Sequence, residues 1–266
     1  MKFTKMHGLG NDYLYVYGEV PENIAELSQK LSERHFGAGS DGMIYICKSD
    51  KADFKMRIFN ADGSEAKMCG NGIRCVGKYV YDKGYTDKEF LSVETLSGIK
   101  YLTLHIVNGK VETVSVDMGK AEAKEPVTIT VDGFEGKVAF IPVSVGNPHA
   151  VIFVDDIEKA PLLTLGPKIE HHPCFPDGVN VEFVEVIDSK TLRMRVWERG
   201  SGVTMACGTG ACASVMAAVF TKRCHYDETI SVMLDGGKLE ILINSENDVR
   251  MTGPAQTIYE GETEIC

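Results

Sequence analysis

The chain repeats itself. Met68-Cys69-Gly70-Asn71-Gly72-Ile73-Arg74-Cys75 returns in outline as Ala206-Cys207-Gly208-Thr209-Gly210-Ala211-Cys212, with the leading cysteines 138 residues apart. Upstream, Gly10-Asn11 ahead of Asp12 to Tyr17 returns 136 residues on as Gly146-Asn147 ahead of Pro148 to Phe153. Between these anchors the alternation of Phe54, Met56 and Ile58 is repeated by Leu192, Met194 and Val196, and Phe59-Asn60 matches Trp197-Glu198 without a gap up to the cysteines. Agreement in order and spacing over this length restricts the fold to two structurally similar α/β units. A chain of 266 residues has room for two modest cores.

Local patterns give each unit its elements. Lys2 to Met6 and Tyr13 to Tyr17 read as strands around the turn at His7-Gly8-Leu9-Gly10-Asn11-Asp12. Pro21 to Arg34 reads as a helix, with Ile24, Leu27 and Leu31 on one face and Gly37 beyond its end. Met43 to Cys47 is a short strand, and Asp53 to Phe59 is a half-buried strand that delivers Asn60. A helix is expected from Cys69 to about Lys83 and another ending between Val219 and Cys224. Asn108-Gly109 and Gly236-Gly237 each lie between strand-like runs and read as hairpin turns. The polar stretch Gly119 to Pro126 is the expected boundary, which gives a first unit over 1–118 and a second over 119–252. The last stretch, Gly253 to Cys266, has no counterpart in the repeat, and Thr257-Ile258-Tyr259 is expected to return to the first unit as a strand.

Composition narrows the function. At 44% hydrophobic and 25% charged the chain is of the soluble globular type. A net charge of −10 with no basic run argues against nucleic acid as the main partner. No run of 18 apolar residues occurs, and Met1 leads into a strand-like segment rather than a leader, so a cytoplasmic protein with no membrane partner is expected. Eight cysteines in that setting are expected to be thiols. None forms a C-x-x-C pair, no metal-ligand spacing appears, and no nucleotide fingerprint is present, so neither a metal nor a cofactor is expected.

The ordinary fate of a cysteine is to be a small buried hydrophobe, and Cys47, Cys75, Cys174, Cys212, Cys224 and Cys266 take that reading. Cys69 and Cys207 differ because each stands before a Gly-x-Gly turn that opens a helix, whose positive end is expected to lower the thiol pKa toward neutrality. Two equivalent thiols suit a reaction in which one group removes a proton from carbon and the other delivers one to the opposite face. Such a reaction inverts a stereocentre and runs both ways, so like catalysts exchange roles. The carbanion formed beside a carboxylate would be steadied by N–H donors from Gly70, Asn71, Gly208 and Thr209.

The run Phe59-Asn60-Ala61-Asp62-Gly63-Ser64-Glu65-Ala66 leading to Met68 to Cys75, with Glu198-Arg199-Gly200-Ser201-Gly202 leading to Ala206 to Cys212, closely resembles diaminopimelate epimerase. His7 to Asp12 and Gly146-Asn147-Pro148-His149-Ala150 match as well, so the resemblance spans nearly the whole chain. It implies a cofactor-independent enzyme of mixed α+β class, two pseudo-symmetric domains each with a curved sheet around a central helix, an active-site cleft between them, and a homodimer. The implied reaction interconverts LL- and meso-diaminopimelate on the route to lysine and cell-wall precursor. By resemblance Cys69 and Cys207 are the acid/base thiols, and His149 and Glu198 tune their pKa values. Asn11, Asn60, Asn147, Asn180, Glu198 and Arg199 match substrate-contacting positions, and Gly70, Asn71, Gly208 and Thr209 match the cradle of the α-carboxylate. Gly42 stands where the family often carries glutamine, and Val203 where it often carries glutamate.

Three other readings compete: a racemase or epimerase of another amino acid on the same scaffold, a non-catalytic amino-acid-binding or thiol-redox protein, and a cysteine-dependent hydrolase. The first is separated by the need for Asn60, Asn180 and Arg199 at the far end of the substrate. The second predicts binding without α-proton exchange, and the third lacks an evident Cys–His pair.

Overall fold

The computed structural model describes residues 1–264, and Cys266 lies outside the described residues. The chain forms two compact units, one comprising Met1–Val116 with the segment from Gly253 onward, the other Asp117–Thr252.

The first unit opens with the antiparallel strands β1 (Lys2–Gly8) and β2 (Asn11–Tyr17), continues through helix α1 (Ile24–Ser32) to β3 (Gly42–Cys47), and reaches β4 (Phe54–Asn60) and the two-residue β5 (Glu65–Ala66). Helix α2 (Gly70–Asp82), β6 (Phe90–Thr95), β7 (Gly98–Val107) and β8 (Lys110–Lys120) follow. β2 and β3 are parallel, β3 and β4 antiparallel, β4 and β6 parallel, and β6 to β8 a meander.

The second unit begins with β9 (Glu122–Ala123) and β10 (Val127–Thr130), then β11 (Lys137–Ser144), β12 (Pro148–Val154), α3 (Leu162–Glu170), β13 (Asn180–Asp188), β14 (Thr191–Glu198) and β15 (Gly202–Val203). Helix α4 (Gly208–Phe220), β16 (Thr229–Leu234), β17 (Gly237–Ile243) and β18 (Asp248–Pro254) complete it, and β19 (Gln256–Glu262) belongs to the first unit, antiparallel to β1. The pairing senses reproduce those of the first unit: β12 parallel to β13, β13 antiparallel to β14, β14 parallel to β16, β16 antiparallel to β17. The fold is mixed α+β with two pseudo-symmetric units.

Every residue of β3 is buried because both faces of the strand are covered. Met43, Tyr45 and Cys47 join Leu27 and Leu31 of α1 in one cluster, whereas Ile44, on the opposite face, lies where a Cβ on Gly72 of α2 would meet it at 2.7 Å. β13 is built the same way: Val181 and Phe183 pack with Leu165 and Ile169 of α3, and Glu182 turns the other way, toward Gly210 of α4. Eleven of the thirteen residues of α4 are buried, so it is a core helix and not an amphipathic surface one.

The patterns did not register α3, which carries Pro167 in its interior, nor the strand over 90–95. Gly42 has φ of +151°, and a Cβ there would lie 2.1 Å from the carbonyl oxygen of Phe59. The backbone itself therefore excludes a side chain at this position.

Candidate active site

Cys69 and Cys207 hold the same structural post. Each is the N-cap of a thirteen-residue helix, in extended backbone conformation, with φ of −141° and −113°. Each sulfur accepts a hydrogen bond from the N–H three residues on, Gly72 to Cys69 and Gly210 to Cys207, both at 3.3 Å. The carbonyls of the same residues take the first helical bonds, from Ile73 and Ala211. A thiol thus fills the role that serine or aspartate ordinarily plays in capping. Gly70, Asn71, Gly208 and Thr209 supply the other first-turn N–H groups, which an α-helix leaves outside its own ladder. Arg74 is fully buried in the next turn of α2 and bonds to Gly70 O, Asn71 Oδ1 and Pro254 O.

The surroundings of the two sulfurs differ. The Cys69 thiol donates to Oδ1 of Asn11 at 3.2 Å, and the Asn11 amide in turn donates to Asp41 at 2.8 Å. Cys207 lies 3.6 Å from the hydroxyl of Thr209, which accepts a bond from Asn147 Nδ2 at 3.3 Å. Burial first, then the carboxylates of Glu198 and Glu182, push the Cys207 thiol well above its ordinary value, against the pull of the Thr209 hydroxyl and the Gly210 N–H. This corrects the expectation of a thiol brought toward neutrality by the helix end: the helix donor is present, but desolvation and two nearby carboxylates outweigh it. Glu198 is itself pushed up, chiefly by burial, while the hydroxyl of Thr204, which donates to its Oε1, pulls it down.

His149 is almost fully buried. Its Nδ1 lies 2.7 Å from Oε1 of Glu182 and its Nε2 3.1 Å from Oδ1 of Asn147. Asn180, also buried, donates to Pro148 O and accepts from the Arg199 N–H at 3.0 Å, which fixes the start of the turn that carries Arg199. The Arg199 guanidinium is exposed, with Nη1 donating to Asp177 O. Asn60 ends β4 and donates to Ser64. Within the first unit the structure gathers Asn11, Gly70 and Asn71 at Cys69, and within the second Asn147, His149, Glu198, Gly208 and Thr209 at Cys207.

Sequence reasoning missed Glu182, Thr204 and Asp41. For Glu182 a signal existed: at the repeat spacing of 138 it falls on Ile44, so a charged residue occupies the place of a core aliphatic. Cys174, read as a buried hydrophobe, is instead exposed, because it sits in the turn after α3 with its sulfur 2.9 Å from Nδ1 of His172. Among the described residues no group of three or more His, Cys, Asp or Glu side chains is arranged to hold a metal ion. Among the same residues no helix is long and apolar enough to cross a membrane.

A family model described as diaminopimelate epimerase matches residues 3–124 and 141–258. The diaminopimelate epimerase of Acetivibrio thermocellus is 53% identical, with 100% of this chain and 99% of that protein aligned. That of Methanococcus maripaludis is also 53% identical, with both chains covered in full. Among solved structures, a hydroxyproline epimerase from Agrobacterium vitis with bound trans-4-hydroxy-L-proline superposes with a TM-score of 0.75 at 16% identity, covering 98% of this chain and 91% of that one. A PhzF-family phenazine biosynthesis protein from Bacillus anthracis superposes with a TM-score of 0.76, also at 16% identity, covering 100% and 99%. At such identity these two likenesses speak to the fold alone.

Proposed function

Since the chain belongs to the diaminopimelate epimerase family, we propose that it interconverts LL- and meso-diaminopimelate without a cofactor, by proton transfer between Cys69, Cys207 and the α-carbon. The observation that carries this reading is the repeated cap: two thiols, at equivalent places in a duplicated chain, each held by the third N–H of a helix. In one direction a thiolate removes the α-proton and becomes a thiol, while the other thiol delivers its proton to the opposite face and becomes a thiolate. The reverse reaction exchanges the roles. Negative charge that develops on the substrate α-carboxylate is met by the first-turn N–H groups of Gly70, Asn71, Gly208 and Thr209.

Side chains around the caps divide the remaining work. Asn11 and Asn147 present amides beside the two thiols. Asn60, Asn180 and Arg199 serve the far, unreacting amino-acid head, where the planar fork of Arg199 suits a carboxylate. Glu198, pushed up and adjacent to Cys207, tunes that thiol, and His149 does so through Asn147. The protein acts in the cytoplasm, where thiols stay reduced. It works as a homodimer, consistent with the exposed Phe90, Leu96, Ile99 and Tyr101 on the β6–β7 hairpin.

The test is turnover of diaminopimelate in deuterated water. Wild-type protein is expected to convert LL- to meso-substrate with deuterium at the inverted α-carbon, and Cys69→Ala and Cys207→Ala are each expected to lose at least a thousandfold in kcat. Full conversion by either single variant would remove the two-thiol mechanism.

A further inference from the structure

We propose that Glu182 is a positioning residue for Cys207: it anchors the ring of His149 and thereby fixes the chain His149–Asn147–Thr209 so that a hydroxyl is presented to the sulfur. The inference rests on the reading of Cys207 as an acid/base thiol. Glu182 and His149 are buried on the neighbouring parallel strands β13 and β12. The carboxylate has Oε1 on His149 Nδ1 and no hydrogen-bond partner for Oε2 among the described residues. Burying a carboxylate with half its acceptor capacity unused is costly, and the local fold gains only that one bond from it. Ile44 fills the equivalent place in the first unit, so the sheet itself does not need a carboxylate there.

The direction of the chain follows from its atoms. Oδ1 of Asn147 can only accept, so Nε2 of His149 carries a proton and donates to it. The Asn147 amide is thereby turned with Nδ2 donating to Oγ1 of Thr209, which leaves the hydroxyl hydrogen able to point at Cys207 Sγ. Glu182 therefore bears on Cys207 in two opposed ways, by the charge of its carboxylate, which raises the thiol, and by the orientation of this chain, which holds the hydroxyl donor in place. The other ionisable group that bears on the sulfur is Glu198, on β14.

The experiment measures, for full-length protein, the pH midpoint of iodoacetamide alkylation at Cys207, followed on its own peptide by mass spectrometry. Glu182→Gln and Glu182→Leu both remove the carboxylate charge, but only leucine frees the ring, so the Cys207 midpoint of Glu182→Leu is expected about one pH unit above that of Glu182→Gln, the worth of one tenfold-stabilising donor. Thr209→Val is expected to raise the midpoint by about one unit in wild type and in Glu182→Gln, which keeps the proposal testable if the leucine variant does not fold, and to change it by less than about 0.3 unit in Glu182→Leu, where the hydroxyl is already lost. Equal midpoints in the two Glu182 variants would show a bare charge effect and overturn the proposal. So would a Thr209→Val rise that is absent from Glu182→Gln, or one in Glu182→Leu as large as in wild type. Diaminopimelate turnover by wild type is followed in parallel: its absence would remove the functional reading while leaving the alkylation result to be judged separately.

Discussion

Cys207 sits where burial and two carboxylates keep a proton on its sulfur, and that has a consequence for stability as well as for chemistry. In the unfolded chain the same thiol releases its proton near pH 8.5. Above that pH the folded state still binds a proton that the unfolded state has lost, so stability falls as pH rises through this window. Replacing Cys207 with serine removes one such group. The pH dependence of unfolding free energy between 8.5 and 10 is therefore expected to be shallower by about 1 kcal/mol per pH unit than in wild type, read from denaturant titrations; an unchanged slope would mean that the thiol ionises freely in the folded protein. The residues at the two caps were legible because cysteine before Gly-x-Gly is rare and here occurs twice. Their electrostatics were less so: Glu198 was named only through the family resemblance and Glu182 not at all, since both come from strands β13 and β14 and meet Cys207 only on folding.

At the scale of elements, the two capped helices show how far the repeat is symmetric. Gly72 and Gly210 occupy the same position in α2 and α4. A Cβ at Gly72 would meet the terminal methyls of Ile44 and Met56, at 2.7 and 3.1 Å. One at Gly210 would meet Oε1 of Glu182 at 2.8 Å and the sulfur of Cys207 at 3.2 Å. Methyl ends can swing aside, and alanine gains about 1 kcal/mol of helix propensity over glycine, so Gly72→Ala is expected to stay within about 1 kcal/mol of wild type in chemical denaturation. Glu182 cannot move without releasing His149, so Gly210→Ala is expected to cost about 2 kcal/mol. Equal costs would mean that the carboxylate is not held. Hairpins at Asn108-Gly109 and the alternation of Phe54, Met56 and Ile58 were readable because turn chemistry and period-2 burial are local. Helix α3 was not, because Pro167 and Gly166 within it are local signals against a helix that packing overrides: Gly166 lets the helix lie against the Trp197 ring, where a Cβ would come within 2.7 Å of that side chain.

Taken whole, the chain departs from plain duplication at its end. After β18 the backbone returns to the first unit as β19, which pairs with β1 from Lys2↔Glu262 to His7↔Gln256. Gly261 lies over the ring of Phe3, where any Cβ would approach within 2.5 Å, and Tyr259 meets the same ring edge-on at 6.1 Å. Pro254 O receives the buried guanidinium of Arg74, five residues beyond Cys69, so the last segment also braces the turn that carries the first thiol. A chain ending at Thr252 would leave β1 an open edge, expose Phe3, and remove one acceptor from a buried cation. Lost ring burial, an unpaired strand edge and a weakened cation site together are worth about 3 kcal/mol. For a chain of this size that corresponds to a melting temperature lower by roughly 6–12 °C. Because α2 packs on β1, amide exchange in both elements is expected to accelerate, and alkylation of Cys69 to quicken with it. A truncated protein that melts within 2 °C of the full chain, with α2 exchange unchanged, would show that the first unit holds its thiol in place without the returning strand.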